Sequence, residues 1–159
     1  MPRQIIMTAN APSSPLYSQA VKAGPHVLVS GTAGIDPSTG SLAGDTIQDQ
    51  TRQALANCEA ILQAGGASLD DVIEVGILLT NPADFAGLNE EYARWFPSGP
   101  PTRYVAKLGV ELPGLLVSIR MTAFTAWHRP GRAAVAECVS LARGRCRCRP
   151  CCRPGRRAQ

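Results

Sequence analysis

One arginine stands out for the chemistry it can do. Arg103 lies in Pro100-Pro101-Thr102-Arg103-Tyr104-Val105, just past a proline pair and at the start of a predicted strand. A guanidinium in a sheltered cleft grips carboxylates through two parallel hydrogen bonds and cannot be neutralised, so it suits small organic acids. A second dense stretch, Ser30-Gly31-Thr32-Ala33-Gly34-Ile35-Asp36-Pro37-Ser38-Thr39-Gly40, reads as a strand end followed by a turn-rich loop. Gly31 has no Cβ, which permits close approach of its backbone and also suits a tight turn. Asn89 and Tyr92 stand three apart on a predicted helix, so their side chains are neighbours.

Each of these residues also has a plainer reading. Arg103, taken by itself, reads as a surface ion pair to Glu111 or to an acid of a neighbouring subunit. Tyr17 serves as a strand-edge aromatic, Tyr92 as core packing, and Asn89 as a hydrogen-bond partner of a nearby loop.

The elements that must position these side chains follow from periodicity. Val27-Leu28-Val29, extended by Ser30, reads as a short buried strand. Residues 46–64 form the clearest helix, with Ile47, Thr51, Ala54, Leu55, Cys58, Ile61 and Leu62 on one face. Asp45 is the expected N-cap, Gln48 completes a capping-box pattern, and Gly65-Gly66 stops the helix. Val72 to Leu79 reads as a strand. Asn81-Pro82 opens a second helix over residues 82–96, with Phe85, Leu88, Tyr92, Trp95 and Phe96 on its inner face. Arg103 to Val110 and Leu115 to Ala126 read as strands, the last alternating apolar Val117, Ile119, Met121 and Ala123 with Ser118, Arg120, Thr122 and Phe124. The order is β-β-α-β-α-β-β, with a further strand at Gln4 to Thr8. This predicts an α/β (α+β) domain, a sheet with both helices on one face, whose other apolar face calls for burial in an oligomer.

Charge divides the 159 residues. Residues 1–127 carry seven basic and eleven acidic groups, a net −4, and residues 128–159 carry nine arginines and Glu137, a net +8, together the +4 of the chain. The reading is therefore a single domain over 1–127 and a basic, Cys-rich tail over 128–159, expected to be disordered. Cys138, Cys146, Cys148, Cys151 and Cys152 lie in the tail and only Cys58 in the body, which excludes a disulfide scaffold and suits a reducing, cytoplasmic compartment. The tail thiols have the chemistry to hold zinc or copper(I), but the preferred reading is an extension beyond the fold that binds nucleic acid only non-specifically. No secretory signal stands in Met1 to Ser14. No apolar run reaches the about 18 residues of a membrane span, so no membrane partner is expected. No cofactor and no metal site are predicted, the two histidines, His26 and His128, lying far from any carboxylate cluster.

Taken with Leu16-Tyr17-Ser18-Gln19-Ala20, Asn89-Glu90-Glu91-Tyr92 and Leu112-Pro113-Gly114, the two opening stretches resemble the RidA (YjgF) family, over roughly residues 4 to 126. That resemblance implies a chorismate-mutase-like fold, a homotrimer closing a central barrel, and ligand clefts between subunits. It also implies that Arg103 clamps the carboxylate of a 2-imino or 2-keto acid. Tyr17, Gly31, Asn89 and Tyr92 would line the cleft, and imines or enamines would be hydrolysed with release of ammonia.

One position departs from the family. Its imine-hydrolysing members generally carry glutamate where this chain has Ser118, in a run that here reads Val117-Ser118-Ile119-Arg120-Met121. A positioned carboxylate contributes about 10²–10⁴-fold to such proton transfers. A serine without a base does not. Turnover then rests on binding and orientation, with Glu111, Glu90 or a water held by Ser118 contributing. The alternative is a catalytically silent trimer that binds carboxylate metabolites, with Arg120 adding positive charge that favours a second anionic group. Endoribonuclease action or translation inhibition, also attached to the family, finds no histidine pair or metal site in the acidic body.

Overall fold

The computed structural model describes residues 2–110 and 112–125. Six strands form one mixed sheet: β1 (Gln4–Ile6), β2 (Ala20–Ala23), β3 (His26–Ala33), β4 (Val72–Leu79), β5 (Thr102–Lys107) and β6 (Val117–Phe124). Their spatial order is β1-β2-β3-β6-β4-β5. Every pairing is antiparallel except β4 with β5. Parallel neighbours need a crossover, and the helix α2 (Phe85–Trp95) supplies it. The longer helix α1 (Ile47–Ala64) precedes β4.

The periodicity of α1 places its core face as expected. Ala54, Leu55, Cys58, Ile61 and Leu62 are buried against Val27, Val75, Ile77, Ile119 and Met121, each fully buried Leu or Ile contributing about 1.5–3 kcal/mol. Two polar residues, Gln50 and Asn57, are buried on the same helix. They are tolerated because each satisfies backbone groups. Gln50 donates to the carbonyls of Gly44 and Gly114 and accepts from Leu116 N–H. Asn57 donates to the carbonyls of Ala33 and Ile35. The helix α1 thus ties down the loops that flank the sheet.

The N-cap of α1 is Thr46 rather than Asp45. Its Oγ1 accepts from the Asp49 N–H at 3.1 Å and donates to the Asp49 carboxylate at 2.6 Å, which leaves Gln48 free to donate to Glu90. Gly65 ends the helix and Gly66 turns the chain at φ +76°. Asn81 caps a 3₁₀ turn over Pro82–Asp84 before α2 begins. Leu88 and Tyr92 are buried, and Trp95 and Phe96 pack partly against the core. Phe85 does not join them. It is 45% exposed, because the first turn of α2 overhangs the edge strand β5.

β1 ends at Ile6 rather than Thr8 and β6 spans Val117–Phe124 rather than Leu115 to Ala126, and β3 and β5 differ as well. β3 runs through Gly31 to Ala33, beyond the expected loop start, because Thr32 and Ala33 pair with Ile119 and Ser118 after a bulge. β5 stops at Lys107, three residues short of Val110. Ala20–Ala23 forms a strand that its own pattern does not mark. On the face away from the helices, Gly76 lies beneath the Tyr104 ring, where a Cβ would collide with it. Leu28, Ile73 and Tyr104 are exposed there in the single chain. No helix among the described residues is long and apolar enough to cross a membrane. The readings offered for residues 128–159 and for Glu111 lie outside the described residues.

Candidate functional site

Arg103 sits on β5 opposite Val75 of β4. Val75 is buried under the helices, so Arg103 points to the helix side of the sheet, at its edge. There α2 meets it. Arg103 Nη1 donates to Asn89 Oδ1 at 2.8 Å, and the guanidinium carbon lies 4.7 Å from the Tyr92 ring centroid and 5.9 Å from that of Phe85. Among the described residues no carboxylate pairs with Arg103. An amide oxygen and two aromatic faces orient the cation without cancelling its charge. Asn89 is therefore a partner of Arg103, and Tyr92 is both core and platform. Its hydroxyl is buried without a hydrogen bond among the described residues. Burial raises its pKa above 10, and the nearby Arg103 charge partly offsets that.

The helix that carries this platform is itself anchored. Glu91, one residue before Tyr92, is 3% exposed and accepts from Arg52 Nε and Nη2, both at 3.1 Å, and from Arg94 Nη1 at 3.2 Å. Arg52 belongs to α1, so the two helices are joined beneath the site.

Ser118 lies elsewhere. On β6 it alternates with buried Val117 and Ile119 and pairs with Ala33 and Leu78, so it faces the side away from the helices. Gly31 is its neighbour, and a Cβ there would stand 3.1 Å from Ser118 Oγ. Gly31 also lines a small cleft of about 30 Å³ with Pro12, Tyr17, Gln19 and Ser30. The Gln19 amide shapes this cleft. It donates to the carbonyls of Thr8, Ala11 and Pro12 and accepts from Thr8 N–H. Gln19 lies in a quoted motif, but its bracing role emerges only once residues 8–12 are folded back upon it.

The candidate residues thus form two groups within one chain. Arg103, Asn89 and Tyr92 share the helix side of the sheet edge, while Ser118, Gly31 and Tyr17 gather near β3 and β6. Arg120 joins neither as a free charge. It faces the open side like Ser118, but its Nη2 lies 3.9 Å from Glu74 Oε2, and Thr122 also donates to Glu74. The positive charge expected of it has a carboxylate neighbour. Glu90 accepts from Gln48 across the helix pair.

No base approaches Ser118 Oγ among the described residues. His26 packs edge-on against Phe124, with centroids 5.0 Å apart. Cys58 is fully buried, which pushes its thiol up to about 12 despite a bond from Thr32. Such a thiol is no nucleophile at neutral pH. No group of three or more His, Cys, Asp or Glu side chains converges on a metal position among the described residues.

Comparison with known proteins agrees with this architecture. The family described as Endoribonuclease L-PSP matches residues 8–125. A RutC family protein of Pyrococcus horikoshii is 42% identical over 124 residues, 77% of this chain and 98% of its own. The human 2-iminobutanoate/2-iminopropanoate deaminase is 34% identical over 122 residues, 76% of this chain and 89% of its own. Among solved structures, E. coli TdcF with bound serine superposes with a TM-score of 0.71 at 33% identity, covering 76% of this chain and 98% of that one. The fold has its counterpart among these relatives, and the chain belongs to the RidA/YjgF (endoribonuclease L-PSP) family.

Proposed function

We propose that this chain binds small 2-imino and 2-keto carboxylates through Arg103, in clefts between the subunits of a homotrimer, and hydrolyses the imine to the 2-keto acid and ammonia. The observation that carries the reading is the Arg103 guanidinium, oriented by Asn89 and Tyr92 with no carboxylate partner among the described residues. A free, preorganised guanidinium is what a substrate carboxylate needs. The names of two relatives support the chemistry: one is an imine deaminase, the other holds serine, itself a small amino carboxylate.

The assembly follows from the placement of the two groups. Arg103 and Ser118 face opposite sides of one sheet, so a cleft that uses both draws them from different chains. The exposed Leu28, Ile73 and Tyr104 on the open face favour such an association.

In the reaction, water adds to the imine carbon and ammonia departs, one water consumed for each ammonia released. Arg103 fixes the carboxylate, and with it the position of the imine carbon. The Ser118 hydroxyl and the backbone at Gly31 orient the water. With no carboxylate at 118, acceleration comes from orientation rather than proton transfer. Ammonia release from 2-iminopropanoate, generated in situ by an amino-acid oxidase, tests this with and without the protein. Acceleration that disappears in Arg103→Ala supports the reading. No acceleration from the intact assembly overturns the hydrolysis.

A second reading has its own observation. Ser118 Oγ meets no carboxylate or imidazole among the described residues, as suits a catalytically silent trimer that only binds carboxylates. It requires carboxylate binding without turnover in the same assay.

A further inference from the structure

Arg103 is not the only cation without a carboxylate on its strand. Arg103, Val105 and Lys107 alternate along β5, so all three lean to the helix side. Lys107 borders a hollow of about 220 Å³ whose other walls are Leu79, Pro82, Phe85, Val105 and Ala106. Phe85 belongs to both places, since the Arg103 guanidinium lies over the ring that walls the hollow. The hollow therefore adjoins the Arg103 platform through Phe85, and Lys107 is the cation among its own walls. In a body of net charge −4, Arg52, Arg94 and Arg120 all meet carboxylates. Lys107 forms no ion pair among the described residues.

Building on the Arg103 reading, we infer that the site takes dianionic 2-imino or 2-keto acids, with the near carboxylate on Arg103, the carbon chain along the apolar walls and the far carboxylate on Lys107. Four residues of strand separate the two Cα atoms by about 13 Å. Two long side chains leaning inward close that gap to the span of a five- or six-carbon diacid. The second charge that the sequence reading assigns to Arg120 belongs to Lys107 instead, because Arg120 lies on the other face of the sheet, beside Glu74. Lys107 is exposed, so its contribution is modest and sensitive to salt.

The test is calorimetric titration of the full chain with two acids of equal length, 2-oxoglutarate and 2-oxopentanoate. The diacid is expected to bind about fivefold more tightly at low salt. That gap should narrow at high salt, vanish in Lys107→Gln and survive in Lys107→Arg. Equal affinity of the two acids for the wild type overturns the inference, and so does a gap untouched by Lys107→Gln. The Arg103 reading is checked separately by 2-oxopentanoate, whose binding must be lost in Arg103→Ala. If neither acid binds the wild type, both readings fall.

Discussion

Asn89 Oδ1 accepts from Arg103 Nη1 at 2.8 Å, and because that acceptor is neutral, the guanidinium is steered without being discharged. An isosteric change reverses this. Asn89→Asp puts a permanent carboxylate on Arg103 and competes with any ligand that needs it. Affinity for a 2-keto monocarboxylate should fall about tenfold or more, the scale of a charge-assisted hydrogen bond. The variant should fold normally, with an unchanged circular dichroism spectrum. Undiminished affinity in Asn89→Asp, measured by titration, would remove Arg103 from the role of clamp.

Ser118→Glu supplies the group that the strand lacks. If the cleft is otherwise intact, imine turnover should rise about 10²-fold or more, as a positioned carboxylate allows. The side chain must clear Gly31, whose backbone passes close to Ser118 Oγ, so Ser118→Asp is the companion variant. Ammonia release gives the answer. No gain in either variant means that the cleft has diverged beyond this one residue.

The buried carboxylate of Glu91 yields a stability prediction. Glu91→Ala frees Arg52 and Arg94, which are already partly hydrated, and removes the ion-pair link between α1 and α2. The loss of three charge-assisted bonds at a buried acceptor should lower Tm by about 4–8 °C in thermal unfolding. Carboxylate affinity should fall too, because α2 carries Asn89 and Tyr92. A variant with wild-type Tm would show that the helices are held by apolar packing and the Gln48–Glu90 bond without the Glu91 ion pairs.

Tyr92 gives a prediction in pH. Burial raises its folded-state pKa above the unfolded value of 10, so its contribution to stability is fully present below pH 10. It is lost as pH climbs through the higher folded value, where the unfolded chain has already released the proton. Tyr92→Phe removes that alkaline loss. It also removes a buried hydroxyl without a partner among the described residues, so the variant should be at least as stable as wild type at pH 7. Urea unfolding at pH 7 and pH 10.5 checks both statements. A large loss of stability at pH 7 would mean that the hydroxyl is bonded after all.

The parts of this fold legible in sequence were those dictated by period. The strand Val72 to Leu79 and the helix ending at Ala64 stand where alternation and helical spacing put them. Arg103, Asn89 and Tyr92 were each visible as separate motif residues, but their contact was not. The sequence separation between β5 and α2 says nothing of how an edge strand packs under a helix. Phe85 fits an inner-face pattern yet stays outside, because helix position and not spacing decides what lies beneath the first turn. Arg120 looked free because Glu74 lies 46 residues away along the chain and becomes its neighbour only through the pairing of β4 with β6. Gln50 and Asn57 lie outside the apolar set that marks the core face of α1, and only the closed loops reveal what they bond.

Consider last the glycine at 76 and the tyrosine that covers it. Tyr104 follows Arg103 directly on β5, so the two side chains stand on opposite faces of the same strand. The ring rests where Gly76 offers no side chain, and the strand is thereby braced from behind. A methyl group at 76 would press on the ring, and the ring would press on the segment that carries the guanidinium. The placement of the guanidinium segment is thus set from the opposite face of its own strand. Drift at position 76 should register first as weakened binding and only later as lost fold.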